Sequence, residues 1–287
     1  MRLKKQEFRV DPLFLASLVR KFVVGALLAS VLVSVSACQT TSSGQTTNSG
    51  KKPMSGRQND QNQDMNSGQH ILLRAGQDAE TEHKYDVAAN AYGRLFEQRS
   101  NDPDVLANFI RTMRYSDRAP EIVRYVETKT QHLMDDVNVK FEYGKALLAA
   151  GKKSKALRVL QEVSLRRVAN WKVDSAIGIA YDALGQFPNA ILSYRKALEI
   201  SPNNVVVMNN MAMSQAMAGA LNEAIATLEE AANINRSNVH VRQNLALLYA
   251  VKGDINKARA LASMDLSKID TENNLSFYRR FEGKAYE

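Results

Sequence analysis

The chain has 287 residues, of which 45% are hydrophobic and 24% are charged, a balance typical of a globular protein. Its single cysteine excludes an intramolecular disulfide framework and a cysteine-based metal site. The formal net charge is +8, but half of this excess lies within residues 1–37. The rest of the chain therefore lacks the strongly basic character that would indicate a nucleic-acid partner.

Residues 1–37 have the organisation of an export signal. A basic segment is followed by the uncharged, apolar or small residues 22–37, and the sequence then turns polar at once. A permanent transmembrane helix is the alternative, but a span needs roughly 20 apolar residues and this run is shorter. We therefore predict that residues 1–37 are a signal peptide for export.

The end of this segment, Val35-Ser36-Ala37-Cys38, resembles the lipobox of bacterial lipoproteins. The resemblance implies cleavage between Ala37 and Cys38 and a diacylglycerol on the Cys38 thiol, with no other cofactor. Each buried lipid methylene is worth about 0.8 kcal/mol, and more than one chain makes anchoring stable. Gln39 follows the cysteine, which in Gram-negative lipoproteins implies the periplasmic face of the outer membrane. An ordinary signal peptide followed by an incidental cysteine is the alternative.

Residues 38–68 are predicted to be the lipidated N-terminus and a disordered polar linker. The segment 39–68 contains no Leu, Ile, Val, Phe, Tyr or Trp, so it cannot bury enough apolar surface to offset the entropy of ordering. Thirty residues of flexible chain reach about 30 Å. We interpret the segment as a tether between a membrane anchor and a folded domain.

From residue 69 onwards the sequence repeats every 34 residues. Gly185 and Gly219 are one repeat apart, and so are Ala190 and Ala224. Six segments share this register, with starts at residues 69, 103, 137, 171, 205 and 239. The pattern of small residues, aromatic residues and a turn glycine resembles the tetratricopeptide repeat, or TPR.

This resemblance implies an all-α superhelix of about six helical hairpins, because one hairpin cannot bury its apolar face alone. We expect a solenoid over residues 69–272, clearest over 137–272, and a C-terminal cap over 273–287. Repeat 69–102 has His83 where glycine is expected. Repeat 103–136 is degenerate, and we expect Pro120 to interrupt it. A helical bundle with accidental regularity is the alternative.

In TPR folds the first helix of each repeat lines a concave groove through positions 2, 5, 9, 12 and 13. The resemblance therefore implies a partner-binding groove formed by Phe141, Lys145, Leu148, Lys172, Ser175, Ile179, Asp182, Asn209, Met213, Met217, His240, Gln243, Leu247 and Val251. Exposed Met and Leu side chains there would suit an adaptable peptide site. The amides of Asn209 and Gln243, one repeat apart, would bond a ligand backbone. Alternatively, these residues are covered and belong to the core.

No pattern in the sequence indicates an enzyme or a metal site. The residues His70, His83, His132 and His240 are scattered, and no phosphate-binding loop or nucleophile elbow is present. We therefore expect a non-enzymatic protein that binds other proteins and no nucleic acid.

Residues 242–281 are more specific than the general repeat. The Arg-Gln-Asn-Leu-Ala-Leu start, the later Asp-Leu-Ser and the Asn-Asn-Leu-Ser-Phe-Tyr-Arg-Arg end resemble the TadD family, the TPR lipoproteins of the tight-adherence (Flp) pilus assembly system. The resemblance implies a pilotin-like assembly factor whose partners are the pilus secretin or other Flp components. Two alternatives are an adaptor for other envelope machinery (cell-wall hydrolases or outer-membrane protein insertion) and an envelope enzyme with an unrecognised site.

Overall fold

The structure is a computed structural model that describes residues 65–166 and 170–279. The predicted signal peptide, the cleavage site Ala37, the lipidated Cys38 and nearly all of the polar linker lie outside the described residues. In the described part, every helix is too short or too polar to cross a bilayer.

The described residues form thirteen α-helices and one 3₁₀ turn, and contain no strand, which confirms the all-α prediction. The helices are α1 (Ser67–Thr81), α2 (Tyr85–Gln98), α3 (Pro103–Tyr115), α4 (Ala119–Lys129), α5 (Val137–Ala149), α6 (Lys153–Arg166), α7 (Trp171–Ala183), α8 (Phe187–Ile200), α9 (Val205–Met217), α10 (Leu221–Ile234), α11 (Val239–Val251), α12 (Ile255–Ala262) and α13 (Lys268–Arg279). We call α1, α3, α5, α7, α9 and α11 the first helices, and their successors the second helices.

Each hairpin turns at the position predicted from the repeat. The turn residue has a positive φ in every case: His83, Asp117, Gly151, Gly185, Gly219 and Gly253. Glycine adopts this backbone at no steric cost, whereas His83 and Asp117 hold it at φ 59° and 58°. Each following first helix then begins at an Asp or Asn whose side chain accepts a backbone N–H, such as Asp136 and Asn204.

The expectation that Pro120 interrupts its repeat is wrong. Pro120 is the second residue of α4 and lies in the first helical turn. Its missing N–H costs nothing there, since the first-turn N–H groups have no partner within the helix. Pro188 has the same place in α8. In both second helices, proline therefore lies in the first turn, where it is compatible with the helix.

The two helices of a hairpin approach closely where the first helix carries glycine. A Cβ added at Gly178 would lie 2.6 Å from the ring of Tyr194, and one at Gly76 would lie 2.7 Å from the ring of Tyr92. Both rings are fully buried. The glycines of the repeat pattern thus make room for a large side chain of the second helix.

The described residues fall into two compact units. Within residues 65–166, α1 to α6 form three hairpins, and α3 packs against both α2 and α5. Their shared core includes Leu95, Leu106, Ile110 and Leu147, all fully buried. The degenerate repeat is therefore as well packed as its neighbours.

Within residues 170–279, α7 to α12 form three further hairpins, and α13 packs against α11 and α12. Leu275 of α13 is fully buried and joins the core that contains Leu248 and Ala258. The last helix begins at Lys268, so the boundary predicted at residue 273 falls inside it.

Candidate protein-binding site

The predicted groove residues lie on the first helices α5, α7, α9 and α11. The structure divides them by exposure. Those buried are Phe141, Ser175, Met213, Met217 and Leu247; those partly buried are Lys145, Leu148, Ile179, Asp182, Asn209, Gln243 and Val251; those exposed are Lys172 and His240.

The expectation of exposed Met and Leu side chains is wrong for three of these residues. Met213 and Met217 are each 8% exposed, and Leu247 is 9% exposed. The accessible part of this face is therefore more polar than the sequence pattern indicated. Contact of the fourteen residues with a partner stays a prediction.

The side-chain amides of Asn209 and Gln243, predicted to bind a ligand backbone, already form hydrogen bonds within the chain. Asn209 Oδ1 accepts a hydrogen bond of 2.8 Å from Asn244 Nδ2 on the next first helix. Gln243 Nε2 donates over 3.0 Å to Asp265, whose carboxylate also accepts from Arg242 Nε. A bound segment would therefore meet amides that are held in place by neighbours.

The first helices α1, α3 and α5 carry a charged cluster that consists of Glu80, Arg111, Arg114, Glu142 and Lys145. In its first half, Glu80 accepts from Arg111 Nε at 2.9 Å and from Arg111 Nη2 at 2.8 Å. The hydroxyl of Tyr92 donates to the same carboxylate at 2.8 Å. This two-point pairing fixes the Arg111 guanidinium and compensates the charge of Glu80.

The second half of the charged cluster is more deeply buried. Lys145 Nζ donates to Glu142 over 2.6 Å, and Arg114 Nη2 lies 3.7 Å from the other Glu142 oxygen. Burial lowers the pKa of Lys145 to about 8, although the Glu142 carboxylate opposes this change. Arg114 is only 5% exposed, and its guanidinium lies 4.1 Å from the Tyr115 ring centre. These charges depend on one another for compensation.

Asp182, on α7, is a partly buried carboxylate between two hydroxyl donors. Tyr194 donates to one oxygen over 2.7 Å, and Ser214 of the next first helix donates to the other over 2.6 Å. Burial raises the pKa of Asp182 to about 7, and the two hydrogen bonds oppose that shift. Asp182 therefore links α7 to the next first helix, α9, through Ser214. Among the described residues, no cation pairs with its carboxylate.

The charged cluster was not predicted from the sequence. Arg111 and Arg114 occupy positions 9 and 12 of the repeat that begins at residue 103, which are groove positions in the TPR pattern. That repeat has Ile110 and Ile122 where the pattern expects small residues. Its groove positions were therefore not included among the predicted binding residues. Comparison of the same positions in every repeat would have found both arginines.

Across residues 65–166 and 170–276, no group of three or more His, Asp or Glu side chains is arranged to hold a metal ion. The exposed His240 lies at a groove position, apart from the other histidines in the sequence.

Comparisons with known proteins agree with the repeat pattern. The sequence profile of the Tetratricopeptide repeat family matches residues 175–204. A thermophilic TPR protein of Thermus thermophilus superposes with a TM-score of 0.55 at 19% identity, over 63% of this chain and 98% of that one. MamA of Desulfovibrio magneticus gives a TM-score of 0.48 at 15% identity, over 64% and 98% of the two chains. No curated protein matches the sequence.

The helix order, the turn positions and the profile match together establish the fold class. The chain contains a tetratricopeptide repeat and has the all-α fold of TPR proteins, which indicates a scaffold for protein–protein interaction.

Proposed function

We propose that the protein is an outer-membrane lipoprotein, similar to TadD, that acts as a pilotin-like assembly factor for the Flp pilus. It binds the pilus secretin or another Flp component through its first helices and performs no chemistry. The observation that carries the scaffold role is the series of TPR hairpins with polar, partly buried groups on those helices.

The membrane part of this proposal is supported by the sequence of the N-terminal region. Cys38 is the only cysteine, and it follows an apolar segment and two small residues. An acylated Cys38 would hold the protein at the membrane, and the polar linker would let the repeats sweep the space nearby. Such tethering raises the effective concentration of a binding site against partners in the same membrane.

The pilus part of the proposal is supported by residues 242–281, whose sequence resembles the TadD family. The described part of this region, residues 242–279, includes most of α11 and all of α12 and α13. Arg242, Gln243 and Asp265 form one hydrogen-bonded group there.

The proposal is tested with two forms of the protein in cells that make Flp pili. One is the natural chain, and the other carries Cys38→Ala behind a cleavable signal peptide that does not direct acylation. We expect metabolic palmitate labelling and normal piliation only with the natural chain. A Ser43→Ala chain, changed in the same polar segment, is the control and should behave like the natural one. Normal piliation by the exported, unacylated form would contradict the proposal.

A further inference from the structure

The same arrangement of side chains occurs twice, three repeats apart, on the hairpins α1–α2 and α7–α8. In each, a carboxylate near the end of the first helix accepts from a tyrosine of the second helix. Tyr92 donates to Glu80 over 2.8 Å, and Tyr194 donates to Asp182 over 2.7 Å. Both tyrosine rings are fully buried against a glycine.

The two arrangements differ in what the next first helix supplies. Glu80 receives the guanidinium of Arg111 through two hydrogen bonds. The residue in the same repeat position beside Asp182 is Met213, which carries no charge. Only the Ser214 hydroxyl reaches Asp182 from that helix. Within the part of the chain that the structure describes, Asp182 has no ion-pair partner.

A carboxylate in this position is unfavourable without a cation. Removal from water disfavours the charged form, which is why the pKa of Asp182 is raised to about 7. A cation brought next to Asp182 would recover this loss. Pairing with a positively charged ligand should therefore stabilise the Asp182 carboxylate more than it would stabilise an exposed carboxylate.

The surroundings of Asp182 suit a long basic side chain. Asp182 is partly buried on the first-helix face, and its two oxygens already accept from Tyr194 and Ser214, so a ligand would share the carboxylate with these hydroxyls. Ile179, which is partly buried, lies one turn earlier on the same face of α7. The aliphatic stem of a lysine or arginine can pack on an apolar side chain such as Ile179 while its charged end reaches the carboxylate.

We infer that Asp182 binds a lysine or arginine side chain of the partner segment, in the place that Arg111 takes against Glu80. The inference rests on the proposed scaffold function and adds the chemistry of the ligand. The partner would be an extended or helical segment with a basic residue, and Asp182 would select for that residue.

The test is selection of a randomised nonapeptide display library on the purified full chain, followed by affinity measurement with the winning peptides. We expect enrichment of Lys or Arg at one position, and loss of binding when that residue is changed to norleucine. Asp182→Asn should weaken binding about 30-fold or more, the size of effect typical of a lost partner in a buried charge pair. Met213→Arg should do the same, because it supplies the missing cation from within.

The control is Asp174→Asn, which removes the same charge from the same helix outside the groove positions and should leave affinity unchanged. Thermal melting followed by circular dichroism checks that each variant folds. If Met213→Arg does not fold, the affinity of the Asp182→Asn variant alone tests whether Asp182 binds the basic residue. The inference is overturned if no peptide is selected, if selected peptides lack a basic position, or if Asp182→Asn binds as tightly as the natural chain. The scaffold proposal fails separately, when crosslinking in cells recovers no pilus component.

Discussion

Substitution of Gly178 by alanine tests how the hairpins are packed. The new Cβ would lie 2.6, 2.7 and 2.8 Å from three carbons of the Tyr194 ring, whereas ordinary carbon contacts are about 3.5–4.0 Å. The ring cannot move aside easily, since it is fully buried and its hydroxyl is bonded to Asp182. A shift of about 1 Å is therefore required between α7 and α8.

The expected loss combines two opposing effects. Overpacking of a close-packed core costs about 1–3 kcal/mol, and alanine regains about 0.5–1 kcal/mol over glycine in a helix interior. The free energy of unfolding should therefore fall by about 0.5–2 kcal/mol, measured by urea unfolding of the unacylated chain. Gly68→Ala is the matched control, because its Cβ would meet nothing closer than 3.4 Å. A Gly178→Ala chain as stable as the natural one would refute the close approach.

Three further substitutions give distinct results. Asn204→Ala removes the side chain that accepts a hydrogen bond from the Val207 N–H at the start of α9. The free energy of unfolding should fall by about 1 kcal/mol, seen as a lower urea midpoint with an unchanged slope. Glu142→Leu leaves Arg114 and Lys145 without their carboxylate, so the free energy of unfolding should fall by about 3–5 kcal/mol in thermal and urea unfolding; a loss under about 1 kcal/mol would contradict the pairing. Asp182→Asn should change the pH dependence of stability. The folded pKa of about 7 exceeds the usual unfolded value, so Asp182 favours folding below about pH 4, and this contribution is lost as the pH rises through 7. Urea unfolding between pH 5 and 8 should therefore show a flatter profile for the Asn variant, and an identical profile would contradict the burial of this carboxyl.

Most of the fold could be predicted because a repeat imposes the same local physics many times. The turn position was readable even at His83 and Asp117, since the 34-residue register places them in the column of Gly185. The prediction for Pro120 was wrong because proline breaks a helix interior but is accommodated in its first turn. The distinction depends on where α4 begins, and the turn residue Asp117, three residues before Pro120, is the sequence signal that places this start.

The candidate site was less predictable, because exposure depends on contacts between repeats. The repeat pattern assigns Lys172 of α7 and Met213 of α9 to the same groove, but Met213 is buried whereas Lys172 is exposed. The pairing of Arg111 with Glu80 joins residues 31 apart in the sequence. Only the stacking of hairpins brings them together. Periodicity can identify a face, whereas the charges that meet across it need the packed structure.

The scaffold proposal is tested most directly by photo-crosslinking in intact cells with a photoreactive residue at one chosen position. Lys172 is exposed at a groove position of α7, and Lys196 is an exposed lysine of the second helix α8, which serves as the matched control. Tagged protein would be purified and its adducts identified by mass spectrometry. We expect adducts with the Flp pilus secretin or another Flp component from position 172 and none from position 196. Adducts with cell-wall hydrolases or outer-membrane insertion subunits instead, or equal yields from both positions, would contradict it.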